Sequence, residues 1–67
     1  MDCKLLKEAR VAAGVTQEAM AAAIGYKDKS SYCLLEKGVV KCTVDQAKAI
    51  TEALGLSVEE YTKIFLT

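Results

Sequence analysis

The chain contains no histidine, no proline and no tryptophan, and only four of its 67 residues are aromatic: Tyr26, Tyr32, Tyr61 and Phe65. Without tryptophan, no bulky plug is available for the centre of a core. Small and medium aliphatic residues must pack closely instead, as short helices allow. The 52% hydrophobic content suits a compact core, although a chain of this size buries only ~60% of the surface its unfolded form exposes. No apolar run approaches ~18 residues, which excludes a membrane span. The opening "MDCKLLKEAR" lacks the apolar stretch of a signal peptide. The chain therefore reads as cytoplasmic.

Neither sign of charge is in excess: nine basic residues face nine acidic ones. A balanced charge argues against indiscriminate coating of nucleic acid and favours association near neutral pH. It leaves room for a local basic patch. The three cysteines, Cys3, Cys33 and Cys42, are odd in number, and no C-x-x-C occurs. With histidine absent as well, a disulfide framework and a zinc site are both poorly supported. The cysteines read as small apolar packing residues, with a redox switch as the alternative. No cofactor is expected. An enzyme is the weakest class, for want of a metal-ligand cluster, a nucleophile motif and volume for a cleft. Glu59-Glu60 resembles a carboxylate pair, but acids are favoured at a helix N-terminus anyway.

What the chain does have is helical periodicity, punctuated by four glycines, Gly14, Gly25, Gly38 and Gly55. Each stands where a left-handed residue closes a helix. No segment sustains the period-two alternation of a strand. Five short helices follow from this pattern. The first runs from Cys3 to Ala13 behind an Asp2 cap, with Leu6, Ala9 and Ala13 as an apolar stripe widened by Leu5 and Ala12. The second runs from a Thr16 cap to about Ile24, with Ala19, Met20, Ala23 and Ile24 on one face and Ala21 beside them. The third begins at Asp28 or Lys29 and ends near Lys37, turning Tyr32 and Leu35 inward. The fourth follows Thr43, with Val44, Ala47, Ile50 and Leu54 inward. The fifth opens on a Ser57–Glu60 capping box and carries Val58, Tyr61, Ile64 and Phe65. The connections are short, so consecutive helices must be neighbours. A compact all-α bundle over residues 1–67, forming one unit, is the expected fold. The tight turn after Ile24 brings the second and third helices close together at a large angle, which leaves no room for a long side chain at Ala21.

The stretch "TQEAMAAAIGY…SSYCLLEKG" resembles the helix-turn-helix of the phage Cro/repressor-type (Xre-like) DNA-binding family. "LLKEARVAAGVTQEAMA" is similar to the family's opening, and "DQAKAITEALGLSVEEYTKIF" to its closing pair of helices. The resemblance implies a lambda-repressor-like domain whose third helix enters the major groove of double-stranded DNA, while the second lies across the phosphate backbone. It implies a partly buried ion pair between Arg10 and Glu36, and a phosphate contact from Gln17 beside the Thr16 cap. It sets Lys29, Ser30 and Ser31 at the exposed start of the recognition helix, with Lys27, Lys37 and Lys41 as further cations and Cys33 and Leu34 on the outward and lateral faces. Lysine can donate to guanine, and serine to several base edges. Leu34 has two open readings, a thymine methyl contact or support for a neighbouring helix. The turn is one residue longer than the family's commonest version.

From Lys27 to Lys41, four lysines stand against two acids, a net of +2. From Cys42 onward, two lysines stand against four acids, a net of −2. A basic face toward DNA and an acidic face away from it follow from this polarity. Val39 and Val40 occupy places where basic residues are common, which lowers the expected phosphate affinity and leaves apolar surface for a partner. The function implied is a transcriptional regulator, a repressor of phage or prophage type. The terminal run Ile64, Phe65 and Leu66 is expected to form the interface of a homodimer on a near-palindromic site, because three consecutive residues span most of a helical turn. The alternative is the same fold used to bind another protein, antirepressor-like, with weak or no DNA binding.

Overall fold

The structure, a computed structural model, describes residues 1–66; Thr67, the last residue of the expected unit, lies outside them. The described residues form five α-helices and no strand. They are α1 (Cys3–Ala12), α2 (Gln17–Ala23), α3 (Lys29–Glu36), α4 (Val44–Leu54) and α5 (Val58–Phe65). The expected all-α architecture is the observed one. α2 packs on α3 and α4, while α1 packs on α5 and α3. The Asp2 amide also donates to the Ile64 carbonyl at 2.7 Å, which ties the chain's opening to α5.

Every helix starts on a side-chain oxygen that accepts from the amide three residues on: Asp2, Thr16, Asp28, Thr43 and Ser57. Each such cap contributes about 1 kcal/mol. The Ser57–Glu60 box forms as expected, and Thr43 and Gln46 make a second one. Gln46 also donates from Nε2 to the Tyr26 hydroxyl at 2.8 Å, so the cap of α4 braces the turn between α2 and α3. At the end of α3, Gly38 has φ +81°, and a Cβ there would meet Cys3 Sγ at 3.0 Å. The left-handed backbone favours glycine at this point, and a Cβ here would also press on the Cys3 side chain of α1.

Leu6, Met20, Ala21, Tyr32, Leu35, Ile50 and Ile64 form the core. Several expected inward residues lie elsewhere, each for a local reason. Ala19 and Ala23 are exposed. α2 has only two turns, and its inward arc is Met20, Ala21 and, half-buried, Ile24. Ala13 falls past the end of α1, and Ala12 is exposed at its last position; Arg10 takes the buried place one turn after Leu6. Val44 and Val58 are 80% and 83% exposed. Each is the first residue of its helix. A helical Cβ tilts toward the N-terminus, so these two side chains point past the helix end into solvent.

Candidate nucleic-acid interface

α2 and α3 are joined through residues 24–28, with the Tyr26 amide donating to the Ala21 carbonyl at 2.8 Å. That bond folds the turn back onto α2 at the point where Ala21 is buried. α3 then turns Tyr32, Leu35 and Glu36 inward. The opposite side exposes Lys29, Ser30, Leu34 and Lys37, while Ser31 and Cys33 are half-buried along its flanks. Ser30, Leu34 and Lys37 follow one another at i, i+4 and i+7, one row along the outward face. The amide of Ser31 is held by Asp28 Oδ1 at 3.0 Å, which fixes the start of the helix.

Behind this face is a buried charge network. Arg10 Nε donates to Glu36 Oε2 at 2.8 Å, and Arg10 Nη2 donates to Glu36 Oε1 at 3.1 Å. The third guanidinium nitrogen, Nη1, donates to the Val15 carbonyl at 2.9 Å. One side chain therefore holds α1, the loop before α2 and the end of α3 together. The paired Glu36 holds the Arg10 guanidinium above its ordinary range against the opposing effect of burial. Burial pushes the Glu36 carboxyl upward, but the hydrogen bonds and charge of Arg10 outweigh it, and the carboxyl sits below its ordinary value. The Tyr32 hydroxyl is buried and makes no hydrogen bond of good geometry among the described residues. Burial and the nearby carboxylate push it well above the ordinary tyrosine range.

Gln17 stands at the first turn of α2, half-buried, with Nε2 at 3.5 Å from Glu36 Oε1. A contact this long is weak, and it leaves the side chain able to turn outward. Thr16, Gln17 and Lys29 border one groove with Lys7, Arg10 and Glu18. Lys27, Lys29 and Ser30 border a second, between α2 and the start of α3. Most of the residues expected to face DNA thus gather around the N-terminal ends of α2 and α3. Lys37 and Lys41 do not. They border an open groove of about 580 Å³ at the other end of α3, together with Val40, Val44, Phe65 and Leu66. Lys7 is not among the residues that the family resemblance singles out. It lies three residues before Arg10, on the same side of α1, and that spacing was the signal available.

Of the three residues expected at a dimer interface, Ile64 is 3% exposed within the chain's own core, and Phe65 packs against that core. Ile64 is therefore removed from the expected interface: α5 uses it to close the bundle on α1. Leu66 is 67% exposed. The cysteines are free and half-buried, and burial raises the Cys42 thiol.

Two capped helices at a tight turn, the second presenting a polar N-terminal end, form a helix-turn-helix. The family model described as helix-turn-helix matches residues 6–61, and the chain belongs to that family, in its Cro/Xre-like branch. Its members are DNA-binding regulators, so DNA binding is the coarse function of this chain. No curated protein and no solved structure matches it. Among the described residues, no helix is long and apolar enough to cross a membrane.

Proposed function

We propose that the chain acts as one sequence-specific transcriptional regulator unit in the cytoplasm, a repressor that inserts α3 into the major groove of double-stranded DNA. The observation that carries this reading is the exposure of Lys29 and Ser30 at the start of α3, beside Gln17 at the start of α2. In this docking the N-terminal end of α3 meets base edges while α2 spans the phosphates. Lys29 donates to guanine, Ser30 adds a tolerant contact, and Leu34 packs on a thymine methyl. Repression is the simpler outcome, since it needs only occupancy of the operator.

Lys29→Ala is expected to lower affinity for a selected duplex about tenfold, within the range for a lost base contact. Lys48→Ala, exposed on α4, is expected to leave affinity unchanged. Anisotropy titrations on a duplex chosen from a random pool measure both. Equal effects from the two variants, with folding intact, count against this face.

A domain of this size reads few base pairs, and two copies ~34 Å apart on a near-palindrome combine their binding energies. Leu66, Phe65, Val40 and Val44 supply the apolar side chains of one open groove that Lys37 and Lys41 also border, which supports a homodimer built on Phe65 and Leu66. Sedimentation of the parent on a full site is expected to give a two-to-one complex, and Leu66→Ser a one-to-one complex. A parent that remains one-to-one on the full palindrome overturns the dimer. The exposure of Leu34, Val39 and Val40 favours a second reading, a surface for another protein. Absence of any salt-dependent DNA binding by the parent would select it.

A further inference from the structure

The groove between α1, α2 and the start of α3 brings together two cations that are distant in sequence, Lys7 and Lys29, with Gln17 in the same lining. Both are exposed. Among the described residues, ion pairs join only Arg10 to Glu36 and Lys63 to Glu59, so neither Lys7 nor Lys29 has a carboxylate partner. Arg10 also borders the groove, but its charge is cancelled by Glu36 at 2.8 Å. With the Arg10–Glu36 pair set aside, the charges that line the groove are Lys7 and Lys29 against Glu18, a net of +1 in a chain whose total is zero.

Lys7 stands on a helix that is tied to its neighbours. It lies one turn before Arg10, whose guanidinium clamps α1 to Val15 and Glu36. α1 therefore cannot slide against α2 and α3 without breaking that clamp.

Resting on the DNA-binding reading above, we infer that Lys7 contacts a backbone phosphate beside the Gln17 end of α2, so that α1 is part of the DNA interface. The ligand is the phosphodiester group, and the contact carries no base preference. Lys7 sets affinity and register, while Lys29 and Ser30 read sequence.

Each phosphate neutralised adds about 0.9 to the slope of log affinity against log salt. Lys7→Ala should therefore flatten that slope by about one. Between 50 and 200 mM salt, the parent should lose about threefold more affinity than the variant. The loss at low salt should be the same on the selected duplex and on a scrambled one, because a phosphate contact is blind to sequence. Lys7 is exposed and alanine is a good helix former, so the melting temperature should hold. Lys48→Ala serves as the exposed-lysine control. A Lys7→Ala slope equal to the parent's, with the parent binding normally, overturns this inference and leaves the regulator reading intact. A Lys7→Ala loss confined to the selected duplex also overturns it, since that would make Lys7 a base reader. A parent that binds neither duplex overturns both readings together.

Discussion

Arg10→Ala is expected to destabilise the chain by about 3–5 kcal/mol, the typical cost of leaving one partner of a buried ion pair unpaired. The geometry supports the full range. Arg10 and Glu36 are 8% and 5% exposed, two hydrogen bonds join them, and a third binds the Val15 carbonyl. Removing the guanidinium leaves the carboxylate beside Tyr32 and Gln17, which can offer hydrogen bonds but no compensating charge. Native stability scales at ~0.05–0.15 kcal/mol per residue, so a chain of this length has roughly 3–10 kcal/mol in total. At the lower end of that range the variant sits near its unfolding midpoint at room temperature, and toward the upper end it stays folded but unfolds at lower urea. Replacing both partners, as Arg10→Met with Glu36→Leu, should recover much of the loss, because apolar groups of similar volume avoid the desolvation cost. Urea titrations of the single and double variants measure this. A single variant within 1 kcal/mol of the parent would show the pair to be a solvated contact.

The same pair gives the stability an acid limb. Glu36 titrates below its ordinary value of 4.5 in the folded chain and near that value once unfolded. At acid pH the unfolded chain therefore binds more protons than the folded one, and stability falls as pH drops. The contribution is complete above about pH 4.5 and is lost as pH falls through the lower folded value. Glu36→Gln should flatten that limb while lowering stability at neutral pH. An unchanged acid limb in the variant would assign it to other carboxylates.

How much of this was legible beforehand varies with the kind of signal. Helix starts were readable because a cap is local: a serine or threonine followed three residues on by glutamate or glutamine carries its own partner. Thr43 is legible as the cap of α4 from its type and place alone; the reciprocal bond, in which the Thr43 amide donates to Gln46 Oε1, is added by the structure. Helix faces were less legible. An alanine run such as residues 21–23 has no amphipathic contrast, so Ala19 and Ala23 are expected on the face of Met20 and Ile24, whereas the tertiary neighbours bury Ala21 there in their place. Val44 and Val58 looked like core because their types are apolar, but the first helical position projects beyond the helix. At the interface, the inward set of α3 was readable from Tyr32 and Leu35. The separation of Lys37 and Lys41 from Lys29 was not, because charge summed along a segment hides which end of an eight-residue helix each lysine occupies. Lys7 was missed because it belongs to a helix that sequence order sets apart from the turn.

Ala21→Leu is expected to lower stability toward the upper end of the ~1–3 kcal/mol typical of overpacking. Ala21 is 2% exposed, buried on the face that α2 turns to α3, and its carbonyl accepts the Tyr26 amide that folds the turn. A leucine adds three carbons where Met20 and Tyr32 are already fully buried. The backbone cannot retreat without breaking that hydrogen bond or moving α3. For a domain this size each kcal/mol moves the melting temperature by about 4–8 °C, so a drop of about 10–20 °C is expected. Two matched variants isolate the cause. Ala19→Leu, exposed on the same helix, should melt near the parent, since leucine and alanine are both strong helix formers. Ala12→Leu should be mild or slightly stabilising, because Ala12 borders a shallow groove over Leu5 and Ile64 that a longer side chain would cover. The binding readout follows from the same geometry. If α3 is pushed from α2, Lys29 and Gln17 separate, and the folded fraction of Ala21→Leu should bind its duplex more weakly than Ala19→Leu does. An Ala21→Leu protein that melts with the parent would mean that the helices cross with room to spare, and the small residue at their crossing would need another explanation.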